Sequence, residues 1–206
     1  MNPVIVDPQV YDRTQAYIQA LQQCKEFLAE NRIREPARWS DKITARAGYC
    51  RLYGLYDPKR GGTISVNLKI SRPPVKTPGF QWTYTGWKAD LTAPGILAHE
   101  MGHHVDHCIR VSMSKQDWKN TRSIWAAVCK SEPRVSSYEP NASEAFAESM
   151  KLFVLNPNLL KEGRPNRYKF LTRLLELQPI HDLGWKSVLQ HAHPKIISAA
   201  EKWIRS

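Results

Sequence analysis

The spacing of apolar positions along this chain changes twice. Val10, Thr14, Tyr17, Ile18, Leu21, Cys24 and Leu28 recur at helical spacing and predict a first helix over roughly residues 8–31, which Glu35-Pro36 keeps from continuing. Between Ile43 and Trp87 the period falls to two. Ile64, Val66, Leu68 and Ile70 alternate with Ser65, Asn67 and Lys69, the pattern of a half-buried strand entered through Gly61-Gly62. Phe80, Trp82 and Tyr84 alternate with Gln81 and Thr83 in a second strand, and Tyr49 to Tyr56 offers a third. Arg72-Pro73-Pro74 and Thr77-Pro78-Gly79 mark the connection between the first two. After Thr92 the helical period returns. It predicts helices at Ser114 to Lys130, at Ala142 to Leu155 (closed by Asn156-Pro157), and at roughly 166–176 and 185–204, with a loop from Ser131 to Asn141. Helix, small sheet, then helices is an α+β order, with an antiparallel or mixed sheet packed on a mostly helical body.

The helix that begins at Thr92 combines a clear start with an unusual face. Thr92 is an N-cap residue, and Pro94 suits a first turn, where a missing N–H costs nothing. Leu97, Met101, Val105, Cys108 and Ile109 make its apolar face; His99, His103, Asp106, His107 and Arg110 lie on the neighbouring one. The histidines therefore stand at the boundary between buried stripe and open surface.

Within that helix runs His99-Glu100-Met101-Gly102-His103, a His-Glu-x-x-His string in a chain with only 7 His. Histidines four apart on a helix point the same way and can share one metal ion. The intervening Glu100 is placed to take a proton from water at the open coordination position, the arrangement of zinc hydrolases. A third protein ligand is required. His107 cannot supply it, because eight residues of helix carry it about 12 Å from His99 at ~1.5 Å per residue. The extended pattern with a third histidine also fails, since Asp106 and Ile109 occupy the positions of its Gly and last His. A second helix offers Glu144 and Glu148, one turn apart on one face, while Ala145, Met150, Phe153 and Val154 pack behind them. Beside a cation this pair makes sense, with Glu144 as ligand and Glu148 hydrogen-bonding a ligating imidazole. Asp106 is placed either to orient a histidine from behind or to serve as a solvated helix charge.

The residues His99-Glu100-Met101-Gly102-His103-His104-Val105-Asp106, then Ser137-Tyr138, then Glu144-Ala145-Phe146-Ala147-Glu148, resemble the catalytic domain of anthrax lethal factor and the related Pro-Pro endopeptidases, which are gluzincin metallopeptidases. The resemblance covers roughly residues 92–155, and the loop from Tyr138 to Glu144 is one residue shorter than in that pattern. It implies a zincin-like fold, a Zn2+ cofactor, Glu144 as third ligand and Tyr138 as a catalytic tyrosine that donates a hydrogen bond to the developing oxyanion. The implied activity is endopeptidase cleavage of a protein or peptide substrate, with Glu100 as general base. By analogy with zincins, an extended substrate would pair with a strand beside the motif helix; the segment Thr63 to Ile70 is the candidate, if it has an exposed edge.

Composition sets the frame. At 206 residues and 42% hydrophobic, the chain suits one core and one domain over 1–206, with helix and sheet in 1–90 and the motif helix and helical remainder in 91–206. Its 4 Cys are far apart and form no C-x-x-C pair, which speaks against a disulfide framework or cysteine zinc site and suits a reducing compartment. With neither a signal peptide pattern nor an apolar run of membrane-spanning length, the expected location is cytoplasmic. A net charge of +11 fits a solvated basic surface, or an acidic partner such as an acidic protein or nucleic acid. That charge supports a rival function, a basic nucleic-acid- or assembly-associated protein with a structural or inactive zinc site.

Overall fold

Residues 8–43, 52–72 and 90–176 are described by the computed structural model. The strand expected around Phe80, the Pro-rich connection before it and the helix expected at 185–204 lie outside these residues. The first helix, α1, spans Pro8–Glu30. Tyr17, Ala20, Cys24 and Leu28 form its buried face, one turn or so apart; Ile18, expected in that stripe, is instead 50% exposed. The helix ends in a Schellman-type turn, with Arg32 at φ 54, Arg32 N–H donating to Ala29 O and Ile33 N–H to Leu28 O.

A mixed three-stranded sheet follows, formed by β1 (Arg38–Ser40), β2 (Gly54–Asp57) and β3 (Thr63–Val66) in the order β1-β3-β2. β1 runs parallel to β3 with Trp39 opposite Ile64, and β2 runs antiparallel to it with Tyr56 opposite Ile64. The strand expected over Thr63 to Ile70 is thus cut to four residues. Beyond Val66 the chain turns, with Ile70 and Ser71 N–H both donating to Asn67 O, and Ile70 is left at the surface. β3 is also paired on both sides, so it has no edge to offer a substrate. Alternation reveals which side chains face the core; it carries no count of neighbouring strands. β1 has only three residues, too few for any periodic signal.

The helical body is α2 (Ala93–Ser112), α3 (Lys115–Ser131), α4 (Ala142–Leu155), α5 (Pro157–Gly163) and α6 (Pro165–Glu176). Thr92 caps α2 by accepting from Gly95 N–H, Ser114 caps α3 through Asp117 N–H, and Asn141 caps α4 through the N–H groups of Ser143 and Glu144. The short α5, capped by Asn156, had no clear periodic signature. Leu97, Met101, Val105 and Ile109 of α2 are buried with Phe146, Met150 and Val154 of α4. The two helices meet closely at Gly102, where a Cβ would stand 2.8 Å from Ala147 Cα. Trp125 of α3 closes the far side, stacking near Phe146 and Phe170 while its indole N–H donates to Ala142 O at 2.8 Å. Among the described residues, no helix is long and apolar enough to cross a membrane.

Candidate metal centre

The i, i+4 spacing on α2 brings His99 Nε2 and His103 Nε2 to 3.1 Å of each other. From α4, Glu144 Oε2 comes within 3.2 Å of the first and 3.4 Å of the second. Glu148, one turn on, accepts at 2.8 Å from His99 Nδ1 and pairs through its other oxygen with Lys151 Nζ at 2.6 Å. An ionised carboxylate only accepts, so Nδ1 of His99 carries a proton, and in the neutral ring Nε2 presents a lone pair. Glu144 Oε2 is buried without a hydrogen-bond partner. Two imidazole nitrogens and an orphaned carboxylate oxygen therefore converge, the donor set that suits zinc.

The charges agree. Burial works against a charge on His99, but Glu144 and Glu148 outweigh it and raise its pKa to about 9. His103 and His99 hold Glu144 down to about 2. Burial pushes Glu148 up, yet Lys151 and His99 together hold it at about 2. The pocket favours positive charge between these groups, whether it arrives as a proton or as a cation.

Glu100 faces the same cleft from the side of β2. Burial raises its pKa, a shift moderated by His99 and His103 and by the nearby Tyr56 backbone. Gly54 is the reason it fits: a Cβ there would collide with Glu100 Oε1 and lie 2.6 Å from Ile96 Cγ2. Tyr138, half exposed, stands beside His99 with ring centroids 5.6 Å apart and lines the cleft together with Glu100. Burial and the carboxylates of Glu144, Glu100 and Glu148 raise its pKa, so the phenol stays a donor at neutral pH.

The loop that carries Tyr138 is tied down from α6. Glu139 is buried and accepts from Val135 and Ser136 N–H, and Arg167, fully buried, donates to both its oxygens at 3.1 and 3.0 Å. Arg167 also donates to Ser149 Oγ on α4. Arg164 reaches the Pro133 and Arg134 carbonyls at 2.6 and 2.7 Å, and Tyr138 N–H donates to Ser136 Oγ.

No family model matches this chain, nor does any curated protein or solved structure. The site has to be read from its own geometry. That geometry gathers His99, His103, Glu144, Glu148, Glu100 and Tyr138 around one cleft. Asp106 is placed otherwise: it lines the cleft, but its carboxylate pairs with Arg122 Nη1 at 3.3 Å, joining α2 to α3, and His103 Nε2 has His99 and Glu144 as its near neighbours. His104, next in sequence, points away. Its ring bridges the Arg34 carbonyl and the Tyr56 hydroxyl, fixing β2 against α2. Sequence reasoning missed Gly54, Glu139, Lys151 and Arg167, whose roles depend on partners that no local pattern announces.

Proposed function

We propose that the protein is a zinc-dependent endopeptidase with a zincin-like fold, of the type represented by lethal factor and the Pro-Pro endopeptidases. The observation that carries this reading is the convergence of three donor atoms beside a buried carboxylate and a phenol, all lining one open cleft. His99, His103 and Glu144 would hold the ion, which when bound polarises a scissile carbonyl and acidifies a water. Glu100, given space by Gly54, takes the proton of that water and returns it to the leaving amine. Tyr138 donates to the carbonyl oxygen as negative charge develops there. Glu148 keeps the His99 proton on Nδ1, so that Nε2 remains available.

The rival reading, a basic protein with a structural or inactive zinc site, is favoured only by the net charge of +11. A structural site is closed and needs neither a buried base nor a phenol at its mouth. Elemental analysis paired with a peptide-library cleavage profile separates the two. One zinc per chain and cleavage that disappears in a zinc-retaining Glu100→Gln variant are expected. Zinc without cleavage by the wild type, or unimpaired cleavage by Glu100→Gln, would refute the proposal.

A further inference from the structure

Charge is distributed unevenly along the cleft. The smaller cavity on one side of His99 and Glu100, about 180 Å³, is walled largely by Leu52, Tyr53, Leu91 and Ile96. The larger one, about 470 Å³, holds His103 and Glu144 and extends past Tyr56 to His107 and Arg110. At that end Arg110 Nη2 lies 3.0 Å from an imidazole nitrogen, His107 Nδ1. Arg34 is anchored nearby through its carbonyl, which accepts from His104. Burial lowers the pKa of His107, and the Arg110 and Arg34 charges add to that shift.

Among the described residues, neither arginine has a carboxylate within ion-pair distance. The surrounding acids are engaged elsewhere: Asp106 with Arg122, Glu35 with Lys25, and Asp57 with the Lys59 N–H. Among the residues lining this end of the groove, the Arg110 guanidinium stands beside the His107 imidazole and the Tyr56 ring, while the lining carboxylate Asp106 is paired with Arg122. Distance fixes which part of a substrate would meet the Arg110 guanidinium. His103 and Arg110 are seven residues apart on α2, about 10 Å at ~1.5 Å per residue. An extended peptide covers that span in about three residues at ~3.3 Å each.

From this geometry we propose that the Arg110 end of the cleft is a subsite for an acidic side chain of the substrate, about three residues from the bond that is cleaved. The proposal rests on the peptidase reading and assigns it a substrate class, peptides carrying Asp or Glu at that distance. The opposite cavity, where Asp90 and Glu148 stand among Leu52, Leu91 and Ile96, has no Arg or Lys in its lining, so the preference is one-sided.

The test uses zinc-loaded Glu100→Gln protein and fluorescein-labelled Ala-rich decapeptides that differ only in carrying Glu, Gln or Lys at one position, scanned along the peptide. At low ionic strength, fluorescence anisotropy should show the best-placed Glu peptide binding about fivefold more tightly than its Gln counterpart, with the gain shrinking as salt is added. Arg34→Ala/Arg110→Ala should erase the gain, and Arg110→Glu should turn it toward the Lys peptide. Both arginines are exposed, so the fold is not at stake. A control that removes two positive charges from α5 and α6, Lys161→Ala/Lys169→Ala, should leave the gain intact. Equal binding of Glu and Gln peptides, absence of binding, or a preference lost equally in the lysine control would overturn the subsite. Wild-type cleavage is measured separately. A Glu preference without cleavage would refute the peptidase reading alone, and cleavage without a Glu preference would refute the subsite alone.

Discussion

The helices beneath the cleft and the segments along its rim place their side chains by different means. On the floor, His99 and His103 are fixed by one turn of α2, and Glu144 and Glu148 by one turn of α4. On the rim, Glu100 takes its setting from β2, some 45 residues earlier in the chain, and Tyr138 from a loop bolted to Arg167 on α6. The floor is therefore redundant, with buried apolar faces on both helices holding it in place. The rim depends on single contacts: one missing Cβ at Gly54 and one buried ion pair at Glu139. Damage to the floor should cost metal, and damage to the rim should cost rate with metal retained.

The largest effect should follow from Glu144→Ala. Loss of a ligand should weaken zinc binding by more than the roughly 10- to 100-fold expected for removing a supporting group such as Glu148, and turnover should vanish with the metal. Competition with a chelator of known affinity checks this; unchanged zinc affinity would place the third ligand elsewhere. Tyr138→Phe comes next. A phenol that acts on the transition state should, when lost, lower kcat by roughly ten- to a thousandfold while KM and zinc content hold. A tyrosine that merely packs the loop would leave kcat almost unaltered.

Gly54→Ala sharpens the contrast, because it alters no chemical group. The added methyl should displace the Glu100 carboxylate and reduce kcat about tenfold or more with zinc content unchanged, and its overlap with Ile96 should lower the thermal midpoint as well. Full activity in this variant would mean that Glu100 does not need its present position. The smallest effect belongs to Glu139→Gln. If Glu139 serves as a positioning residue for Tyr138, it should lower kcat severalfold in the wild-type background and hardly at all in Tyr138→Phe. Additive losses in that double-mutant cycle would give Glu139 a role in general stability instead.

The same division explains how much could be read from the chain itself. The motif helix, its Thr92 cap, the Ser114 and Asn141 caps and the Glu144/Glu148 face all depend on residues within a turn or two of one another, which periodicity and capping chemistry reveal. Partners distant in sequence leave no such trace. Arg167 meets Glu139 across 28 residues, and His104 meets the Arg34 carbonyl across 70. Asp106 illustrates the limit: its position on α2 brings it near His103, and only the return of α3 supplies Arg122 to claim it. The sheet does so too. The alternation from Thr63 marked a true strand but not its end at Val66, nor the neighbours that enclose it.

Gly102 gives the motif a meaning beyond its ligands. With α4 backbone where a side chain would otherwise be, 2.8 Å from the missing Cβ, this position works as a gauge block between two machined faces. His99 and His103 flank it on one face, and the ledge bearing Glu144 rises from the other. A shim as thin as a methyl group would open the gap by a few tenths of an ångström, more than the roughly ±0.2 Å tolerance of metal–ligand bonds. In the proposed metal centre, the size of ion accepted would thus be set in part by a residue that never touches it.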